Sequence, residues 1–133
     1  MNSVLLVAGT VFVGIAALIH VYIFYLESIA WSKPTTWKAF GLRSQAEADT
    51  VQPMAFNQGY YNAFLAVGVI AGVIMLFTPG TQQAGYGITI FAALSMVLAA
   101  TVLITSSPKL ARAAVLQGAA PLVGIVLLVL SLL

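Results

Sequence analysis

Four apolar stretches without a single Lys, Arg, Asp or Glu run through this chain: Val4 to Leu26, Tyr60 to Phe77, Gly85 to Thr105 and Ala113 to Leu133. Each is close to the roughly 20 residues that a helix rising about 1.5 Å per residue needs to cross about 30 Å of hydrocarbon. In lipid every backbone polar group must be satisfied internally, which leaves helices or a closed barrel. A barrel strand alternates polar and apolar residues, and runs such as VLLVAGTVFVGIAALI and PLVGIVLLVLSLL do not. The expectation is an all-α, four-helix transmembrane bundle. It forms a single four-span membrane domain over residues 1–133, with spans at about 4–26, 57–77, 85–105 and 113–133. The second stretch is the shortest, so its helix is expected to begin near Asn57, with its first turn among the headgroups.

Composition agrees. Of 133 residues, 62% are hydrophobic and 6% are charged, where a soluble domain carries about a quarter of its residues as charges. The first stretch exceeds a typical signal core, lacks a basic leader and ends in aromatics and Glu27 rather than a small-residue cleavage site. It therefore reads as a span. The chain has no Cys, so no disulfide framework is available. Its five basic residues are scattered over two connections, too sparse for a nucleic-acid surface, and no nucleic-acid partner is expected.

Four spans put the Glu27–Phe56 and Ser106–Arg112 connections on one side. Lys33, Lys38, Arg43, Lys109 and Arg112 all lie there, while the Thr78–Ala84 connection is uncharged. The excess of Lys and Arg in short cytoplasmic loops then predicts both termini on the non-cytoplasmic side. The long connection carries Trp31, Trp37 and Phe40 among its basic residues, and Pro34 to Gly41 suits a short interfacial helix. It reads either as an aromatic belt with basic anchors or as a lid over a pocket.

Polar residues inside the spans are few. His20 precedes Glu27 by seven positions, about 10 Å or two helical turns, so the two point in nearly one direction. Gly9, Val13, Ala16 and Phe24 lie on the same stripe, and its small residues suggest a face turned toward protein. The second span opens with Asn57, Gln58, Tyr61 and Asn62, and an unpaired Asn62 amide in hydrocarbon would be costly. Gly68 and Gly72 form a GxxxG pair suited to packing within the chain or between copies. In the third span Ser95, Ala99 and Ser106 share a side that reads as packing, with the Ser95 hydroxyl able to bond one turn back. In the fourth span, Pro121 deprives the Gln117 carbonyl of its helical donor, so the Gln117, Pro121 and Gly124 face should turn inward.

Depth connects these residues. His20, Glu27, Asn57, Gln58, Asn62 and Gln117 all fall in the half of the bundle beside the basic connections, and the other half carries nothing comparable. This asymmetry suggests a polar pocket open to the cytoplasmic leaflet. Intramembrane ionisable groups are functional candidates because burying them is expensive. As an enzyme, the chain would use His20 as general acid or base, with Glu27 orienting it or acting as a carboxylate in its own right. Asn57, Gln58, Tyr61, Asn62 and Gln117 would hold a small hydrophobic or amphipathic ligand. The same cluster could instead bind without chemistry, hold helices together as a structural network, or serve a small transporter working as a homo-oligomer. One His and no Cys offer no metal site, and no cofactor is expected. Membrane lipid is the expected surrounding partner, in a cell membrane of bacterial inner-membrane type.

The segments His20-Val-Tyr-Ile-Phe-Tyr-Leu-Glu27, Asn57-Gln-Gly-Tyr-Tyr-Asn-Ala-Phe-Leu-Ala-Val-Gly68 and Gln117-Gly-Ala-Ala-Pro121, with Trp31 and Phe40 between the first two, carry a family resemblance. The chain resembles the small bacterial and fungal membrane proteins grouped as DUF1304 over essentially its whole length. The resemblance implies four spans, with His20, Glu27, Asn57, Gln58, Tyr61, Asn62, Gln117 and Pro121 at the family's signature positions, and it implies no particular reaction.

Overall fold

The computed structural model describes residues 2–133 and is all-α. Helix α1 (Ser3–Phe24) continues into a π-helical turn at Tyr25–Ile29, followed by the short α2 (Pro34–Ala39) and the long α3 (Gln45–Leu76). Helix α4 (Gln82–Ser106) is joined through a 3-10 turn at Pro108–Leu110 to α5 (Ala111–Ser131). Among the described residues, four helices are long and apolar enough to cross a membrane: 3–29, 45–76, 82–106 and 108–131.

Each span starts before its apolar stretch, and α3 departs furthest from expectation, starting at Gln45 rather than near Asn57. Its start is built by capping. The Ser44 hydroxyl accepts from Glu47 N, and the Glu47 carboxylate accepts from Arg43 N at 2.8 Å, so the chain entering the helix is held from both sides. At the other end of the bundle, Asn2 caps α1 by accepting from Val4 N and Leu5 N. Its own N–H donates to Ser131 O at 2.8 Å, which fastens the start of α1 to the end of α5.

The helices form a square. Helix α1 packs against α3 and α5, α4 packs against the same two, and α1 and α4 lie on the diagonal. All four sides close around small residues, as expected where dispersion rather than water exclusion drives helix association. A Cβ on Gly9 would lie 2.9 Å from Leu128 Cγ, and one on Gly124 would lie 2.6 Å from Val13 Cγ1. At the α3–α4 side, a Cβ on Gly85 would lie 2.5 Å from Leu76 N, and Gly72 faces Thr89 across the same contact. Gly68 faces Ala92 there too, so the GxxxG pair serves packing within the chain. Gly118 against Ala100 closes the α4–α5 side, and Gly59 against Ser28 and Glu27 closes the α1–α3 side. The centre is filled by Val13, Ala16, Val69, Ala93, Met96 and Leu128.

The inward face of α4 consists of Gly85, Tyr86, Thr89, Ala92, Ala93, Met96 and Ala100. This corrects the expectation that Ser95, Ala99 and Ser106 mark its packing side: Ala99 and Ser106 are exposed, although the Ser95 hydroxyl does bond Phe91 O one turn back. The long connection folds onto α3. Trp31 and Trp37 are buried with Ala48 and Ala55, and the Trp31 indole N–H donates to Ala48 O at 3.0 Å.

Candidate functional site

The inward stripe of α1 holds Leu6, Gly9, Val13, Ala16, Ala17 and His20. His20 is 1% exposed. Its Nδ1 lies 2.8 Å from Ala16 O, a carbonyl that can only accept. Nδ1 therefore carries the proton, and a neutral ring keeps its lone pair on Nε2.

Glu27 lies seven residues further on, inside the π-helical turn, where Ala30 N donates to Tyr25 O at 2.8 Å. Single π turns of this kind are frequent at functional sites. The turn widens the helix and seats Glu27 and Ser28 against Gly59 of α3, where a side chain would collide with Ser28 Oγ and stand 3.1 Å from Glu27 Cβ. The Ser28 hydroxyl donates to Phe56 O at 2.9 Å.

The Glu27 side chain is 6% exposed. Asn62 Nδ2 donates to its Oε2 at 3.0 Å and to Gln58 O at 3.1 Å. Both amide protons of Asn62 are thereby used, which answers the demand that this residue find a partner. Nearby, Phe24 meets Tyr60 edge to face with centroids 5.1 Å apart.

The remaining candidates separate from this pair. Asn57, Gln58 and Tyr61 are exposed on the outer surface of α3. Gln117 is half-buried, and Pro121 and Gly124 are buried, so this face of α5 turns inward. The pairs Gly9–Leu128 and Val13–Gly124 share one antiparallel register. Continued seven residues along both helices, that register sets His20 level with Gln117. His20 and Glu27 each bond elsewhere, to Ala16 and to Asn62. Glu27 is thus not seen orienting the imidazole.

Two apolar grooves indent the lipid-facing surface. One, of about 290 Å³, lies between α4 and α5; the other, of about 300 Å³, lies between α1 and α5. Neither is lined by His20, Glu27, Asn62 or Gln117, so the polar pocket expected from the sequence is neither of these grooves.

The opposite end of the bundle is also polar, contrary to expectation. Tyr86 Oη and Ser131 Oγ are 2.9 Å apart in a buried contact, Ser131 donates to Leu128 O at 2.6 Å, and Thr89, one turn further along α4, is fully buried against Gly72 of α3. Tyr86 and Thr89, one turn apart and next to the small Gly85, are the signal of this face in the sequence.

Fold and site together define a multi-pass membrane protein with a buried carboxylate hydrogen-bonded to an amide across two helices. The chain belongs to the family described as "Protein of unknown function (DUF1304)", whose profile matches residues 14–129. It is 37% identical over 60 residues to "Uncharacterized protein YpaA" of Lactococcus lactis subsp. lactis (strain IL1403), an alignment covering 44% of this chain and 50% of that protein. The chain thus spans about half the length of this curated relative. No solved structure matches.

Proposed function

We propose that this protein binds a small amphipathic molecule whose polar head donates hydrogen bonds to the inner face of α1. The observation that carries this reading is Glu27: a carboxylate 6% exposed, held in a π-helical turn, with the Asn62 side chain as its hydrogen-bond donor. A membrane protein that needed only to join α1 to α3 could do so with small residues and neutral amides, at lower desolvation cost than a carboxylate.

The chemistry of the unfilled positions narrows the ligand. Asn62 occupies Oε2 of Glu27 and leaves Oε1 as an acceptor. His20 gives its Nδ1 proton to Ala16 O and keeps a lone pair on Nε2. Pro121 has no N–H, so Gln117 O lacks its helical partner. All three are acceptors. A head carrying donors, such as an alcohol, amine or amide, complements them, whereas an ester or phosphate diester does not. Proton transfer at Nε2 of His20 is the chemistry open to such a site. With the basic connections facing the cytoplasm, the ligand would enter from that leaflet, past Asn57, Gln58 and Tyr61.

The test is stabilisation of the detergent-purified protein by long-chain alcohols and amines, compared with methyl esters of equal length. Stabilisation by the donor-headed series, lost in Glu27→Leu, supports the reading. Equal response to both series, or a response unchanged in Glu27→Leu, refutes it.

A second reading has its own support. Asn62, Ser28 and His20 all bond within the chain, as a structural network would. If Glu27→Gln and His20→Gln leave folding, ligand content and every phenotype intact, the cluster is a helix fastener.

A further inference from the structure

The two apolar grooves flank the same helix and share two lining residues, Val115 and Ala119. These form a low ridge on α5, with Ala100, Thr101 and Ile104 of α4 bordering one groove and Phe12 and Ile15 of α1 bordering the other. The volumes, about 290 and 300 Å³, are nearly equal. Helical spacing puts Arg112 directly above the ridge, three residues before Val115 and seven before Ala119. From Arg112 to the groove ends at Leu122 and Val123 the helix rises about 15 Å, one leaflet's share of a hydrocarbon core about 30 Å thick.

Among the described residues, neither Lys109 nor Arg112 is paired with a carboxylate. Lys109 and Arg112 are both exposed, and no carboxylate lies between Ser106 and Arg112. Of the acids in the neighbouring connection, Glu47 is engaged by Arg43 N and Asp49 by the Gln45 side chain. The Leu110 side chain approaches Gly41, so this end of α5 lies under the folded connection.

We infer that α5 is straddled by a diacyl anionic phospholipid, one acyl chain in each groove and the phosphate on Arg112 and Lys109. Paired grooves suit two chains on one headgroup better than they suit a single-chain ligand, and two uncompensated cations select an anionic head. This site lies on the lipid face of α5 and is independent of Glu27 and Asn62.

Native mass spectrometry of the detergent-purified protein tests it, using dioleoyl phosphatidylglycerol, dioleoyl phosphatidylcholine and lysophosphatidylglycerol as probes. The expected result is strong preference for the two-chain anionic lipid. Each basic residue removed, in Lys109→Gln and Arg112→Gln, should cost about fivefold in binding, the effect of one Lys or Arg near an anionic surface. Ala119 is exposed, so Ala119→Phe leaves the core alone while raising the ridge, and it should abolish retention of the two-chain lipid. Three results would overturn the inference: equal binding of phosphatidylglycerol and phosphatidylcholine, undiminished binding in Ala119→Phe, or lipid-free dimers in place of lipid adducts.

Discussion

Adding one methyl group at Gly85 should destabilise the bundle, whereas adding it two residues away should do the opposite. A Cβ on Gly85 would stand 2.5 Å from Leu76 N, 2.8 Å from Met75 C and 2.9 Å from Gly72 O. All three are backbone atoms, so no rotamer change relieves them. To restore ordinary contact near 3.4 Å, α3 and α4 must part by about 0.9 Å, a gap that forfeits up to roughly half of the dispersion well across the affected contacts. Overpacking of this kind costs about 3 kcal/mol at the upper end, offset by about 1 kcal/mol from the better helix propensity of Ala, for a net loss of about 2 kcal/mol. A Cβ on Gly87 meets nothing within 4 Å, so Gly87→Ala should gain up to about 1 kcal/mol. Unfolding of both variants in mixed micelles, followed by circular dichroism, measures the difference. If Gly85→Ala proves as stable as Gly87→Ala, the close α3–α4 crossing is wrong.

Asn62→Leu strips Glu27 of its donor and should cost about 1–3 kcal/mol, while Asn57→Ala and Gln58→Ala, both exposed, should fall within about 0.5 kcal/mol of the parent in the same unfolding assay. Tyr86→Phe removes the contact to Ser131 but leaves Ser131 bonded to Leu128 O; the loss should be about 0.6 kcal/mol, and no more than about 1.7, as for other interhelical hydrogen bonds in membranes. Ser44→Ala should cost about 1 kcal/mol and accelerate amide exchange over residues 45–50, where loss of the cap frays the start of α3.

The inner stripe of α1 is legible because it mixes small residues with one imidazole and one carboxylate at helical spacing. Gly9, Val13, Ala16, His20 and Glu27 are all buried, and the inward turn of Pro121 follows from the same logic. The start of α3 is also written in the chain, as Ser44-x-x-Glu47, but a polar stretch before an apolar one reads as a loop unless that cap is recognised. In α4 the spacing of Ser95, Ala99 and Ser106 misleads. A helix apolar on every side has no solvent-facing stripe to betray its packing face, and only its tightest residues, Gly85 and Ala93, mark it. The Glu27–Asn62 pair lies beyond any single helix. It depends on how far α3 slides along α1, which Gly59 and the π turn set together.

Lipid extraction of the purified protein followed by mass spectrometry bears most directly on the role of the buried carboxylate. A discrete donor-headed amphiphile, enriched over bulk membrane lipid in the parent and depleted in Glu27→Gln, is the outcome expected here. Extracts of parent and variant that both match the surrounding bilayer would contradict it.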